Sequence, residues 1–563
     1  MAQLTAQATA LLSDDRLAKR REVWKNFLWL SQTPRGSGHP EPVRTKLLEL
    51  VRSMGHEADI DSAGNVLVRA KASSGEEGRP WLCLQAHYDM VAVKDDTSSI
   101  DLIKEGVGSG IRLIDTDSEL QGKTGMMATG TSLGADNGIG VAIALAILED
   151  KEIKRGPLEV LFTRDEETSM AGVKNIDASE LKSDFLINLD FEEQRVICIG
   201  SAGAFDEEYD LKLDINTPIE NNHNINYIQI EIRDLKGGHS GVEINTGRAN
   251  SSKLLGFAVG QAVNNSGLGD NWGISSFVSG SQHNVIPNKG VAIVSIFTEQ
   301  GKQKELIELK EKFINEIKKI ESKLQKKWKQ VEPNLKLIVT ELVDEKQDKI
   351  RLCYTSQSSL RLLDSLQILP HGVLKLSPMS NELVETSINL AVVNLIEPEI
   401  EDLNEKEQIK EKEQLKEKKE EDVEDVQNWW KAKKNTAIIH LMGRSTDFKQ
   451  LEYAHDQIQA TARLLGATTS GMTNTQNAWE PDLTNPLLHI GIQCYTQVYK
   501  RAPIIYVVHA ALECGILKSK KPSLKTISIG PTVVHVHSPQ ELLYVETVPL
   551  TYELTVKILE NIK

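Results

Sequence analysis

Short apolar runs that end at a histidine or an acidic residue recur through the first part of the chain. Residues 81–86 (WLCLQA) are one strand-length run, and His87 follows it. Residues 158–163 (LEVLFT) and 185–189 (FLINL) repeat the pattern, and each stops at acidic residues. Between them, residues 138–148 (GIGVAIALAIL) are apolar on every face and bounded by Asp136-Asn137 and Glu149-Asp150, which predicts a buried helix. Strand, polar tip, helix, strand is the order of an α/β layer with a mostly parallel central sheet. Such sheets place their sites at the carboxyl ends of the strands. Two further strands are predicted at 504–508 (IIYVV) and 526–530 (TISIG).

A second pattern begins near residue 214. The strand 225–232 (INYIQIEI) leads to the loop Lys236-Gly237-Gly238-His239-Ser240-Gly241. Over 303–327, Leu306, Leu309, Phe313, Ile317 and Ile320 recur at helical spacing, and the Lys and Glu between them make a solvated face. Residues 384–396 and 437–442 predict two more strands. The segment 399–425 between them is mostly Glu and Lys, and Ile409 and Leu415 are nearly the only apolar residues in its middle. It cannot build a core, and is expected to be a dispensable excursion at a hairpin tip or else a partner-binding arm. The predicted layout is an α/β domain made of 1–213 and 446–563, with an α+β domain, 214–445, inserted in it.

The composition narrows the class. The chain has 563 residues, 65 Lys plus Arg against 80 Asp plus Glu, a net charge of −15, and is 40% hydrophobic. That is enough apolar material for real cores, spread over more than one domain. The acidic balance argues against a nucleic-acid binder. No window of about 18 residues is uncharged and apolar, so no membrane span is expected. The N-terminus places Asp14 and Asp15 after a short apolar stretch and its basic residues later, the reverse of a signal peptide. Five widely spaced cysteines, Cys83, Cys198, Cys353, Cys494 and Cys514, contain no CxxC, so a reducing cytosol is expected.

Five segments then present metal-type ligands: His87-Tyr88-Asp89, Asp136 in Leu133-Gly134-Ala135-Asp136-Asn137-Gly138, Asp165-Glu166-Glu167, Asp190, and His537 before Ser538-Pro539. Each alone is ordinary loop chemistry. Together, carboxylates at the ends of neighbouring strands would repel and raise each other's pKa, a penalty that divalent ions remove. Mixed His and carboxylate donors suit zinc, with manganese or cobalt tolerated, and there are too many for one tetrahedral ion.

These segments resemble the zinc-dependent aminoacylase and carboxypeptidase superfamily, and more closely the aminoacyl-histidine dipeptidase family. The resemblance runs along nearly the whole chain. It includes Thr33-Pro34-Arg35-Gly36-Ser37-Gly38-His39, Gly237-Gly238-His239-Ser240-Gly241, His283-Asn284-Val285-Ile286-Pro287, Val384-Glu385-Thr386-Ser387, Trp479-Glu480-Pro481-Asp482 and His509-Ala510-Ala511-Leu512-Glu513-Cys514-Gly515. It implies a catalytic α/β domain with an inserted lid and dimerisation domain, two zinc ions per chain, and hydrolysis of unblocked dipeptides by a homodimer. His87 and Asp190 would bind one ion, Glu167 and His537 the other, and Asp136 both. Glu166 would be the general base and Asp89 would orient His87. His239 would donate to the oxyanion across a domain or subunit interface. Asn284 and Arg444 would meet the substrate carboxylate, and Glu513 its free amino group. A related deacylase or tripeptidase would share every metal residue, and a non-catalytic interaction protein would share the fold.

Several positions depart from the family pattern. Asn245 stands where the lid loop often carries His, and Pro370-His371-Gly372 stands where Pro-Asn-Gly is expected. The Glu/Lys-rich segment replaces a short connection. His535 lies close to His537, which is preferred as ligand because it precedes Ser538-Pro539.

Overall fold

The computed structural model describes residues 4–563 except 97, 104–110, 116–122, 217–222, 343–352, 378–382 and 397–432. The chain divides into two units: Met1–Ala202 with Asn477–Lys563, and Gly203–Gln476.

The first unit is built on an eight-stranded sheet. Its order is Glu57–Ile60, Val66–Ala70, Leu158–Thr163, Leu82–His87, Phe185–Asn188, Lys525–Ser528, Val196–Ser201 and Ile504–Val508. The four strands from Leu158–Thr163 to Lys525–Ser528 are parallel neighbours, as are the last two. The sheet as a whole is mixed. Glu57–Ile60 and Val66–Ala70 form a hairpin too tightly connected to be parallel, and Val66–Ala70 meets Leu158–Thr163 antiparallel. The helix Ala135–Glu149 is buried from Asn137 to Leu148, as its uniform apolarity predicts. Its Ile139, Ile143 and Ile147 join Trp24, Phe27, Leu84, Val160 and Ile187 in one core. Each such side chain contributes about 1.5–3 kcal/mol on burial, so this core holds the strand ends rigidly.

The second unit is an antiparallel sheet of ten strands with helices packed on it. The helix Gln303–Trp328 buries Leu306, Leu309, Phe313, Ile317, Ile320 and Leu324, the predicted stripe extended by one residue. Strands Val384–Leu395 and Thr436–Ser445 pair directly. The Glu/Lys-rich excursion, 399–425, lies outside the described residues. The expected limits of this unit, 214 and 445, both fall inside it. Strand Gly203–Lys212 pairs with Thr436–Ser445 along its whole length, and helix Phe448–Leu465 sets Leu451, Ala454, Ile458 and Ala462 into the second core. Among the described residues, no helix is long and apolar enough to cross a membrane.

Candidate metal centre

The three parallel strands Leu82–His87, Leu158–Thr163 and Phe185–Asn188 end side by side, with His87 opposite Thr163 and Gln85 opposite Asn188. His87 closes the first strand, Glu166 and Glu167 sit in the turn after the second, and Asp190 lies just past the third. Asp136 opens the buried helix, and His537 enters from a loop near the C-terminus.

Three overlapping groups of ligand atoms result: His87, Asp136 and Asp190; Asp136, Glu167 and His537; and His87, Glu166 and Glu167. Nε2 of His87 is 3.0 Å from Asp136 Oδ1, 3.4 Å from Asp190 Oδ1 and 4.0 Å from Glu166 Oε2. Nε2 of His537 is 3.2 Å from Asp136 Oδ2 and 2.8 Å from Glu167 Oε2. The two oxygens of Asp136 therefore face two different imidazoles. The His87 side chain is 1% exposed, Glu166 12% and His537 47%, so the cluster opens to solvent on the Glu166–His537 side.

The electrostatics show the crowding. Burial, then the neighbouring Asp136, raises Glu167 to about 7, and burial raises Asp190 to about 6. Burial pushes Glu166 well above the usual carboxylate range, and Glu167 and Asp190 add to the push. Burial alone would depress both histidines. Instead Asp190 and Asp136 drive His87 well above its ordinary value, and Asp136 and Glu167 drive His537 up to about 11. Glu167 Oε1 and Asp190 Oδ1 are buried without a hydrogen-bond partner. Surplus carboxylate charge, orphaned buried oxygens and two imidazoles fit a pair of divalent cations.

The supporting hydrogen bonds come largely from main chain. Asp89 accepts from the N–H of Glu166 (3.2 Å) and Glu167 (3.4 Å) and from Ser37 Oγ (2.7 Å). Its carbonyl and carboxylate lie 3.2 and 3.4 Å from His87 Nδ1. Glu513 is fully buried. Its Oε2 accepts from Gln85 Nε2 and Thr163 Oγ1, its Oε1 has no partner, and burial raises it to about 8. Two residues to which sequence reading gave no task stand here as well, Arg35 and Glu541. Both are buried, and both bond the turn that carries Asp136. The available signal was a Glu four residues after His537 in His537-Ser538-Pro539-Gln540-Glu541.

His239, Asn284 and Arg444 lie in the second unit, and the structure gathers them there. His239 pairs with Val285, and the Ser240 N–H donates to the Asn284 carbonyl at 2.8 Å. The N–H groups of Gly241 and Val242 both donate to His239 Nδ1 at 3.2 Å, so the neutral ring carries its proton on Nε2. Arg444, 4% exposed, reaches Ser240 Oγ at 3.4 Å and the Met442 sulfur at 3.5 Å. No carboxylate lies within ion-pair distance of it among the described residues, and burial, opposed by the charge of Asp206, lowers it to about 10. Asn389 Nδ2 bonds the carbonyls of His283 and Val285 and so holds Asn284 between them.

Residues 83–561 match the family model described as "Peptidase family M20/M25/M40". The chain is 30% identical over 542 residues to the cytosol non-specific dipeptidase of Escherichia coli (strain K12), covering 96% of this chain and 97% of that protein. A shorter stretch is 31% identical to peptidase T of Staphylococcus carnosus, covering 26% of this chain and 39% of that one. Among solved structures, aminoacylhistidine dipeptidase from Vibrio alginolyticus superposes with a TM-score of 0.73 at 27% identity, covering 98% of this chain and 99% of that chain.

Proposed function

As a member of peptidase family M20/M25/M40, this chain is a metal-dependent dipeptidase, and we propose that it hydrolyses unblocked dipeptides, Xaa-His types included, at a two-zinc centre. The observation that carries this reading is Asp136, whose two oxygens face His87 on one side and His537 on the other. His87 and Asp190 would hold one ion, Glu167 and His537 the second, and Asp136 both. When bound, such a pair lowers the pKa of the attacking water and polarises the scissile carbonyl. Manganese or cobalt is proposed to substitute, because the donors are all imidazole nitrogen and carboxylate oxygen.

The protein's own groups then divide the work. Glu166 takes the proton of the attacking water and hands it to the amine nitrogen as the C–N bond breaks. Asp89 fixes the turn carrying Glu166 and Glu167 and steadies the His87 ring. His239 offers its Nε2–H to the carbonyl oxygen as charge grows there, from the same chain or from a partner copy. Arg444 forks onto the C-terminal carboxylate, with Asn284 beside it. Glu513 receives the free amino group, and a donor that reaches its Oε1 displaces no existing hydrogen bond. The proposed setting is the cytosol, supported by five free, buried cysteines. A homodimer is proposed as well, supported by exposed Val242, Tyr453 and Leu464, and sedimentation of the purified chain tests it.

The functional test is a panel of dipeptides, tripeptides and N-acetyl amino acids, assayed with zinc, manganese or cobalt and with a chelator. Cleavage of free dipeptides, lost to the chelator and restored by metal, is the expected result. Turnover of N-acyl substrates alone would make it a deacylase. Fewer than one divalent ion per chain after zinc loading would make it a non-catalytic relative.

A further inference from the structure

The turn that carries Asp136 is held from both sides by two buried, oppositely charged side chains that do not bond one another. On one side, the Glu541 carboxylate accepts four consecutive main-chain N–H groups. Its Oε2 takes those of Leu133 and Gly134, both at 2.8 Å, and its Oε1 takes those of Ala135 at 2.7 Å and Asp136 at 3.2 Å. On the other side, the Arg35 guanidinium donates to the Gly134 carbonyl, and also to those of Tyr88 (3.3 Å) and Asp89 (3.1 Å). Glycine is required at 134, because its φ is +67° and a Cβ there would collide with Arg35.

We infer that Glu541 and Arg35 are positioning residues that set the spacing of the two metal ions. Glu541 sits four residues after His537, so its carboxylate ties the segment bearing one ion's imidazole to the turn bearing the shared carboxylate. Arg35 ties that same turn to the segment bearing His87 and Asp89. Three stretches distant in sequence thus meet at Gly134–Asp136, and neither clamp residue is itself a proposed ligand. A charged acceptor of several N–H groups is worth more than neutral bonds of the same number. Glutamine in its place has one acceptor oxygen and turns an NH₂ toward N–H groups.

This inference rests on the two-metal reading, and the experiment separates their failures. Zinc is titrated against a chromogenic chelator for the parent and for Glu541→Gln, alongside thermal unfolding of the metal-free forms. The expected result is a variant whose metal-free form still unfolds in one cooperative transition, with the weaker of the two zinc-binding steps loosened by about 10–100-fold. Turnover then recovers as free zinc is raised. Two zinc ions held as tightly as in the parent overturn the inference. If the parent itself does not take up two ions, the two-metal reading fails instead. Should Glu541→Gln not fold, Glu541→Asp decides, since it keeps the charge but withdraws it by one methylene. A looser step in that folded variant supports the clamp, and parent-like affinity for both ions overturns it.

Discussion

The strand-end cluster of the first unit and the loop cluster of the second bury opposite charges. Around His87 and His537, five carboxylates (Asp89, Asp136, Glu166, Glu167 and Asp190) outnumber two imidazoles, and two of their buried oxygens accept no hydrogen bond. Among the described residues, the Arg444 guanidinium hydrogen-bonds only a hydroxyl and a thioether, and the Asp206 carboxylate acts on it without pairing. An uncompensated buried charge costs several kcal/mol. Under the proposed function each imbalance would be met from outside, by cations in the first region and by a substrate carboxylate in the second. The mode of support differs too. The acidic cluster is fixed by main-chain N–H groups of a rigid α/β core. The basic residue stands in strand Thr436–Ser445 and reaches Ser240 in a Gly-rich loop, which is braced by Arg248 donating to the Gly237 carbonyl and pairing with Glu243.

The sharpest test of the acidic region is Glu166→Gln. Glutamine keeps the shape and loses the base, so kcat should fall about 10²–10⁴-fold while metal analysis still finds both ions. Equal loss of zinc and turnover would make Glu166 a ligand. On the loop side, His239→Ala should lower kcat about 10²–10³-fold with zinc content untouched. Mixing it with Glu166→Gln after subunit exchange asks whose loop serves which centre. Recovered activity assigns the histidine to the partner copy, and no recovery to its own chain.

A smaller effect is expected from Arg444→Met. Losing a charge-assisted contact worth about 1.5–3 kcal/mol should raise KM for free dipeptides about 10–150-fold and leave amidated ones alone. Similar KM changes for both would remove the carboxylate from the comparison. The smallest concerns acid. Burial, then Lys253, holds His371 down at about 3, and its Nδ1 accepts the N–H of Leu390 at 3.3 Å. Below the ordinary histidine pKa of about 6.5, the unfolded chain takes a proton that the folded chain refuses. Stability therefore falls from there toward pH 3. His371→Asn keeps an acceptor and removes the titration, so its acid-unfolding midpoint should move to lower pH, with no change in slope near neutrality. Parallel curves for the two proteins across the acid range would dismiss His371 as the cause.

Much of this was legible in local sequence. Strand-length runs ending at His87, Glu166 and Asp190 advertise themselves, because a parallel sheet collects whatever follows its strands. The uniform apolarity of residues 138–148 marked a helix buried all round. The unit boundary was not legible. Strand Gly203–Lys212 follows the first unit's last early strand after a single residue, with no turn or linker signal between them, and only its distant partners, Thr436–Ser445 above all, assign it to the second sheet. Arg35 and Glu541 were invisible for a related reason. Their partners are carbonyls and N–H groups, which every residue type possesses, and those of Glu541 lie about 400 positions away. A motif search reads side chains, so clamps made on backbone escape it.

The sheet order of the first unit has a consequence for synthesis. Strand Lys525–Ser528 lies between Phe185–Asn188 and Val196–Ser201, although it emerges from the ribosome long after both. The roughly 320 residues that separate it from Ser201 take about 15–65 s to make at ~5–20 residues per second. For most of that interval the nascent chain carries a five-stranded half-sheet open at Phe185–Asn188 and the lone strand Val196–Ser201, whose other neighbour Ile504–Val508 is also made late, and such open edges are where chains pair with the wrong neighbour. The second unit, continuous in sequence, can finish folding in the meantime. A truncated translation product that ends before the late strand therefore contains one complete domain and one sticky, unfinished one, and it is the natural client of a chaperone that shields strand edges.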